Sequence, residues 1–352
     1  MQSPDPEIVA ALEHMLAAQC PADVVTDAEQ QWPQALWDIL EEAALPRTWI
    51  AESSGGVGAN WADGLAVIKV AARYAAPVPL AETLMAGYVL AANGIAVPAG
   101  ALNISNPLAH ETVELSTEGT LSGQLDRVGF GRHLTALAVL TTAAEKPALA
   151  LISKAQLNVT HGAGLAGEPL DAVQFAGVEP SESVVVDTNT AELVRRLGAT
   201  IRCFQISGAL EHVLERSIEY ASQRNQFGRP ISKFQAVQHN LAELAGEVSA
   251  AVAAANAAGS SIERHGLGSE QSFVSVASAK VRCGQAASRG AAIAHQVHGA
   301  MGFAREYPLH HYTRRLWVWR DDFATETEWA EELGALVARK GPEALWPLLT
   351  SI

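Results

Sequence analysis

The chain has 352 residues, 49% hydrophobic and 18% charged, enough for two or three domains around a large core. Its 24 Lys and Arg stand against 38 Asp and Glu, a net charge of −14, which excludes nucleic acid as a partner because that role needs a basic surface. Cys20, Cys203 and Cys283 lack paired spacing, so no disulfide framework or zinc site is expected, and a cytoplasmic location is. Among the histidines only His295/His298 and His310/His311 lie close together, and nothing completes a ligand set, so no metal is expected. No basic start followed by an apolar run marks a leader, and no apolar stretch of about 18 residues marks a membrane span.

Residues 1–100 read as helices. Ile8, Leu12, Met15 and Leu16 share one face, and Pro33 stands as a first-turn proline before Leu36, Ile39, Leu40 and Ala43. The glycines of residues 52–58 follow no strand and precede no Gly-Lys-Ser, so they read as a turn rather than a phosphate loop. Helices near 62–75 and 79–94 flank the breaker Ala76-Pro77-Val78-Pro79. Residues 101–188 change character. Runs at 113–115, 121–123, 134–141, 148–152 and 184–186 lie between Gly, Pro, Asn and Asp, as short antiparallel strands would. From 189 to 352 the pattern is helical, near 191–223, 232–264, 269–298, 309–320 and 325–340. Ala-rich helices with few breaks suggest a close-packed four-helix bundle.

The segment 224–235 interrupts the helices. Gly228 and Pro230 break the first, Ser232 is placed to cap the second, and Phe234, Val237, Leu241, Leu244 and Val248 then share a face. A guanidinium and an amide displayed at such a corner suit a phosphate or a polar cofactor tail; a helical hairpin with a solvated Arg is the other reading.

Arg224, Phe227-Gly228, Pro230 and Phe234-Gln235 resemble the Arg-x-x-Phe-Gly signature of the acyl-CoA dehydrogenase family. Downstream, Gln296-Val297-His298-Gly299-Ala300-Met301-Gly302-Phe303 and Glu306-Tyr307-Pro308 resemble its Gln-x-x-Gly-Gly-x-Gly-Phe and Glu-Tyr-Pro elements. The resemblance covers residues 191–352 well and the rest loosely. It implies an α+β fold: an N-terminal helical domain (1–100), a small antiparallel β-domain (101–188) and a C-terminal four-helix bundle (189–352). It implies FAD as cofactor, an acyl-CoA thioester as substrate, α,β-dehydrogenation as the reaction and an electron-transfer flavoprotein as acceptor. In the family the flavin lies between two subunits. The resemblance assigns its diphosphate and adenosine end to Arg224, Gln226, Phe227, Gln296 and Gly299, and a flavin-loop contact to Thr325.

The chain also departs from the pattern. The family's Thr-Glu-Pro and Gly-Ser-Asp elements, which contact the flavin ring, are replaced by Leu102-Asn103-Ile104-Ser105-Asn106-Pro107 and no Gly-Ser-Asp. Counting from Glu306-Tyr307-Pro308, the usual catalytic Glu falls on Phe323, with Ala324-Thr325 where Gly-Thr is expected. The alternative Glu of a minority of members, 26 residues before the motif Arg, falls on Gly198. Neither residue takes a proton. Three explanations stand: Asp321, Asp322 or Glu326 substitutes; a homologous partner subunit supplies the Glu; or the chain is a non-catalytic structural relative. The run 317–323 resembles the ending of heteromeric bacterial enzymes of steroid side-chain degradation, and it also reads as aromatic packing of a terminal helix.

Overall fold

The computed structural model describes residues 2–105 and 111–350. Asn106 and Pro107, part of the segment replacing the family's Thr-Glu-Pro, lie outside the described residues. Contacts divide the chain into two compact units: Met1–Ala22, Leu65–Ala76 and Gly198–Ile352 in one, Asp23–Gly64 and Pro77–Leu197 in the other.

The N-terminal helices are α1 (Pro6–Gln19), α2 (Ala22–Asp27), α3 (Gln34–Glu42), α4 (Trp61–Arg73) and α5 (Leu80–Ala92). Leu12 and Leu16 bury the inward face of α1, and the Asp5 carboxylate accepts from the Glu7 amide to cap it. Pro33 sits one residue earlier than expected, at the N-cap of α3 rather than in its first turn. The glycine-rich 52–58 segment is a turn: Glu52–Ser54 form one 3-10 turn, and Arg47 Nε donates to the Gly55 carbonyl at 2.7 Å.

Strands β1 (Leu102–Ser105), β2 (Val113–Leu115), β3 (Leu121–Gly129), β4 (Ala136–Ala143), β5 (Lys146–Ser153), β6 (Asn158–Thr160), β7 (Leu170–Val178) and β8 (Glu182–Val185) form one sheet. Its order is β6-β7-β3-β2-β4-β5-β8, with β1 also on β4. The sheet is mixed and not purely antiparallel. β1 and β2 both pair parallel with β4, at opposite ends of it, because β4 has six successive buried residues and accepts neighbours on both edges.

The C-terminal helices are α6 (Thr190–Gln223), α7 (Gln235–His265), α8 (Glu270–His298), α9 (Leu309–Asp321), α10 (Glu326–Lys340) and α11 (Leu345–Thr350). Helix α8 is the hub, buried on nearly every face and packed against α7, α9 and α10. Between α6 and α7 lies a β-hairpin, β9 (Asn225–Gln226) with β10 (Arg229–Pro230), instead of a bare helix corner. Ser232 does not cap α7. It falls in a 3-10 turn, and the N-cap is Phe234, which makes no side-chain cap. Among the described residues no helix is long and apolar enough to cross a membrane.

In the first unit, His212 on α6 stacks on Tyr312 of α9 at 4.3 Å. Burial, then the nearby Arg216 and Arg73, pushes its pKa from 6.5 down to about 4. The unfolded chain takes up this proton near 6.5 and the folded chain does not. Stability from this group is therefore complete above about pH 6.5 and is lost as pH falls toward about 4. The melting temperature of the wild type should fall across that window, and His212→Gln should flatten the slope. An unchanged slope would refute a neutral, half-buried His212.

Candidate functional site

The sequence-predicted residues gather at two places along α6 and its continuation. At the C-terminal end, the Arg224 amide donates to the Tyr220 carbonyl at 2.8 Å and the chain then turns into the hairpin. Phe227 (φ 53°) and Gly228 (φ 78°) form its two-residue turn, both left-handed, as the right-handed strand twist favours. A phenylalanine in that conformation is uncommon. Phe227 is 93% exposed and meets Phe234 edge-on at 6.1 Å, while Arg229 lies over the Phe234 face at 4.3 Å. The side chains of Arg224 and Gln226 are exposed, and Arg224 pairs with no carboxylate among the described residues.

The end of α8 lies nearby, because His298 stacks on Tyr220 at 4.5 Å. Gln296 is exposed, and Gly299 ends the helix at φ 57°, ψ −139°, a conformation open only to glycine. A Cβ at Gly299 would meet nothing within 4 Å, so its backbone faces open space. Met301 and Phe303, 45% and 75% exposed, follow in a 3-10 turn. An unpaired guanidinium, an exposed amide and a side-chain-free backbone turn fit an anionic dinucleotide tail. His295, His298 and His310 are hydrogen-bonded within the fold, to Thr313, Tyr307 with Ala294, and the Tyr307 carbonyl respectively.

The second place is the α9–α10 loop. Phe323 (φ 55°) and Ala324 (φ 76°) are consecutive left-handed residues. The Phe323 ring packs on Gly198: a Cβ there would come within 2.4 Å of it. The two positions expected for a catalytic Glu are therefore one spot in space, filled by an aromatic ring. Arg202, one turn along α6, holds the loop, with Nε 3.2 Å from Asp322 Oδ2 and its guanidinium over the Phe323 ring at 5.6 Å. Trp329 Nε1 donates to the Phe323 carbonyl at 2.9 Å. Lys280, fully buried on α8, donates to the Trp319 carbonyl at 3.2 Å and to that of Arg320. Thr325 caps α10 in a reciprocal box with Glu328.

The three substitute carboxylates differ. Asp321 is paired with Arg320 at 2.8 Å, and Asp322 with Arg202. Glu326 leans on Gly284 and makes no hydrogen bond or ion pair among the described residues. Burial, opposed by Arg320 and Lys280, raises its pKa above 4.5. Ala324 keeps the backbone that glycine suits, so Ala324→Gly should stabilise the fold by about 1 kcal/mol in urea titration; a decrease would mean its methyl packs productively.

Arg202, Lys280 and Tyr220 were missed in the sequence, and His298 and Tyr307 entered it only as members of motifs. Only Lys280, a lysine inside an otherwise small and apolar helix face, left a readable signal. Arg224 stands 26 positions after Gly198, just past the end of α6, about 39 Å along a helix at 1.5 Å per residue.

Residues 196–320 match the family model described as acyl-CoA dehydrogenase, C-terminal domain. The chain is 27% identical over 314 residues to acyl-CoA dehydrogenase IpdE2 of Mycobacterium tuberculosis, covering 88% of each. In fold it is similar to the ChsE4-ChsE5 complex of Mycobacterium tuberculosis, with a TM-score of 0.87 at 22% identity over 96% of this chain and 97% of that one. It is also similar to the Tcur3481-Tcur3483 steroid ACAD, with a TM-score of 0.84 at 21% identity over 95% and 97%.

Proposed function

We propose, for a chain that belongs to the acyl-CoA dehydrogenase family, that it is one subunit of a heteromeric, FAD-dependent enzyme in which a homologous partner supplies the catalytic Glu. The observation that carries this reading is the base position, where neither residue of this chain takes a proton. The residues suited to a dinucleotide tail and the position suited to a base lie about 39 Å apart along one helix. The base position is filled by Phe323 on Gly198. A complete site then needs a second chain, and this chain contributes the tail end of it.

In that assembly Arg224 holds the diphosphate by charge-assisted hydrogen bonds, Gln226 and Phe227 wall it, and Gln296 with the Gly299 backbone receives the adenosine end. FAD, when bound, accepts the substrate β-hydrogen as hydride. The α-proton passes to the partner's carboxylate, since no group at Phe323 or Gly198 takes it. The likeness in fold to a steroid ACAD supports a bulky, steroid-type acyl-CoA as substrate, with an electron-transfer flavoprotein as the acceptor the family implies.

The test is a pair of visible absorption spectra: the chain purified alone, and the assembly that an affinity tag on it retrieves from its own cells. A colourless lone chain and a yellow assembly of unlike chains are expected. A yellow lone chain that bleaches with acyl-CoA would overturn this reading. It would favour a second one, a homo-oligomer using the unpaired, desolvated Glu326 as base, in which Glu326→Gln abolishes bleaching.

A further inference from the structure

We propose that Tyr220, His298 and Tyr307 form a positioning cluster that locks the Gly299 turn and the Arg224 hairpin into one ligand-facing register. The inference rests on the reading that these two segments hold the tail of FAD. Each ring belongs to a different segment. Tyr220 lies one helical turn before Arg224, and its carbonyl accepts the Arg224 amide. His298 immediately precedes Gly299, and Tyr307 lies in the Glu306-Tyr307-Pro308 element.

The geometry fixes the proton positions. His298 Nδ1 lies 2.8 Å from the Ala294 carbonyl, which only accepts, so Nδ1 carries the hydrogen. Nε2 then presents a lone pair to the Tyr307 hydroxyl at 3.0 Å. The neutral imidazole stacks on Tyr220 at 4.5 Å, and Tyr220 meets Tyr307 edge-on at 6.0 Å. His310 Nδ1 pins the Tyr307 carbonyl at 2.9 Å. His298 is 3% exposed, so it reaches no ligand itself. Its effect passes through the backbone of Gly299, which has no side chain to anchor it. The three are positioning residues, and catalysis is not assigned to them.

Tyr307→Phe tests this, because it removes the hydroxyl with its hydrogen bonds to His298 and Arg216 and keeps every ring. In the tag-purified assembly, stripped of flavin and titrated with FAD by fluorescence quenching, the Kd should rise about three- to tenfold, the factor one neutral hydrogen bond supports. The melting temperature and the turnover at saturating FAD should stay close to wild type. Arg224→Ala is measured in parallel. If Arg224→Ala weakens FAD and Tyr307→Phe leaves it unchanged, the cluster is only packing and the proposal is overturned. If neither variant changes the Kd, the shared-site reading fails and the cluster's role with it. His298→Ala should exceed Tyr307→Phe in effect, since it loses the stack as well.

Discussion

Arg224→Ala should leave the assembly folded and cost it most of its flavin. Arg224 is exposed and pairs with no carboxylate among the described residues, so truncation removes no packing and orphans no partner. What it removes is a guanidinium fork at the end of α6, where charge-assisted hydrogen bonds to a diphosphate are each worth about 1.5–3 kcal/mol. Removing one such hydrogen bond weakens the FAD complex roughly 10- to 100-fold. The flavin-to-protein absorbance ratio after gel filtration reads this directly. Arg224→Lys should fall between, because an ammonium keeps the charge and gives up the bidentate geometry. Full flavin occupancy in Arg224→Ala would instead mark the chain as a structural subunit that shapes no cofactor site.

The helices were legible because their signal is periodic and long. For α6, α7 and α8 the expected and observed ends differ by three residues at most. The strands were less so. In β7 the inward-facing positions are Asp171, Val173 and Phe175, and the first is a fully buried aspartate held by Arg132 and the Gly162 amide. A charged residue in the apolar register hides the alternation that announces a strand. The β9–β10 hairpin was hidden differently: its left-handed turn carries Phe-Gly where Asn-Gly is the usual signal.

The site was half legible. Motif spacing led to Arg224, Gln226, Phe227, Gln296 and Gly299, and the fold brings the two segments together through Tyr220 and His298. Phe323 and Gly198 follow from two independent counts along the chain, as two alternative positions. Their meeting is a tertiary fact that no local pattern encodes. Nor does sequence show that Ala324 adopts a glycine's backbone, or that Glu326, rather than its acidic neighbours, is the unpaired carboxylate.

Lys280→Ala should be among the most destabilising single substitutions in the first unit. Lys280 is fully buried, and its ammonium satisfies the Trp319 and Arg320 carbonyls at the end of α9. Alanine leaves those acceptors unpaired, at about 1–3 kcal/mol for a buried group, and opens a cavity where the four-carbon stem lay. A total of roughly 3–5 kcal/mol is expected in urea titration, from the unpaired carbonyls and the cavity together. Lys280→Met fills the same space without the charge and should cost less than half as much. The pH dependence separates the two contributions. Burial pushes the Lys280 pKa below 10.5, with Cys203 and Asp322 opposing. The unfolded chain therefore holds this proton to higher pH than the folded one, and wild type should gain on Lys280→Met as pH rises toward about 10. Equal cost for both variants would mean that the ammonium matters and the stem does not.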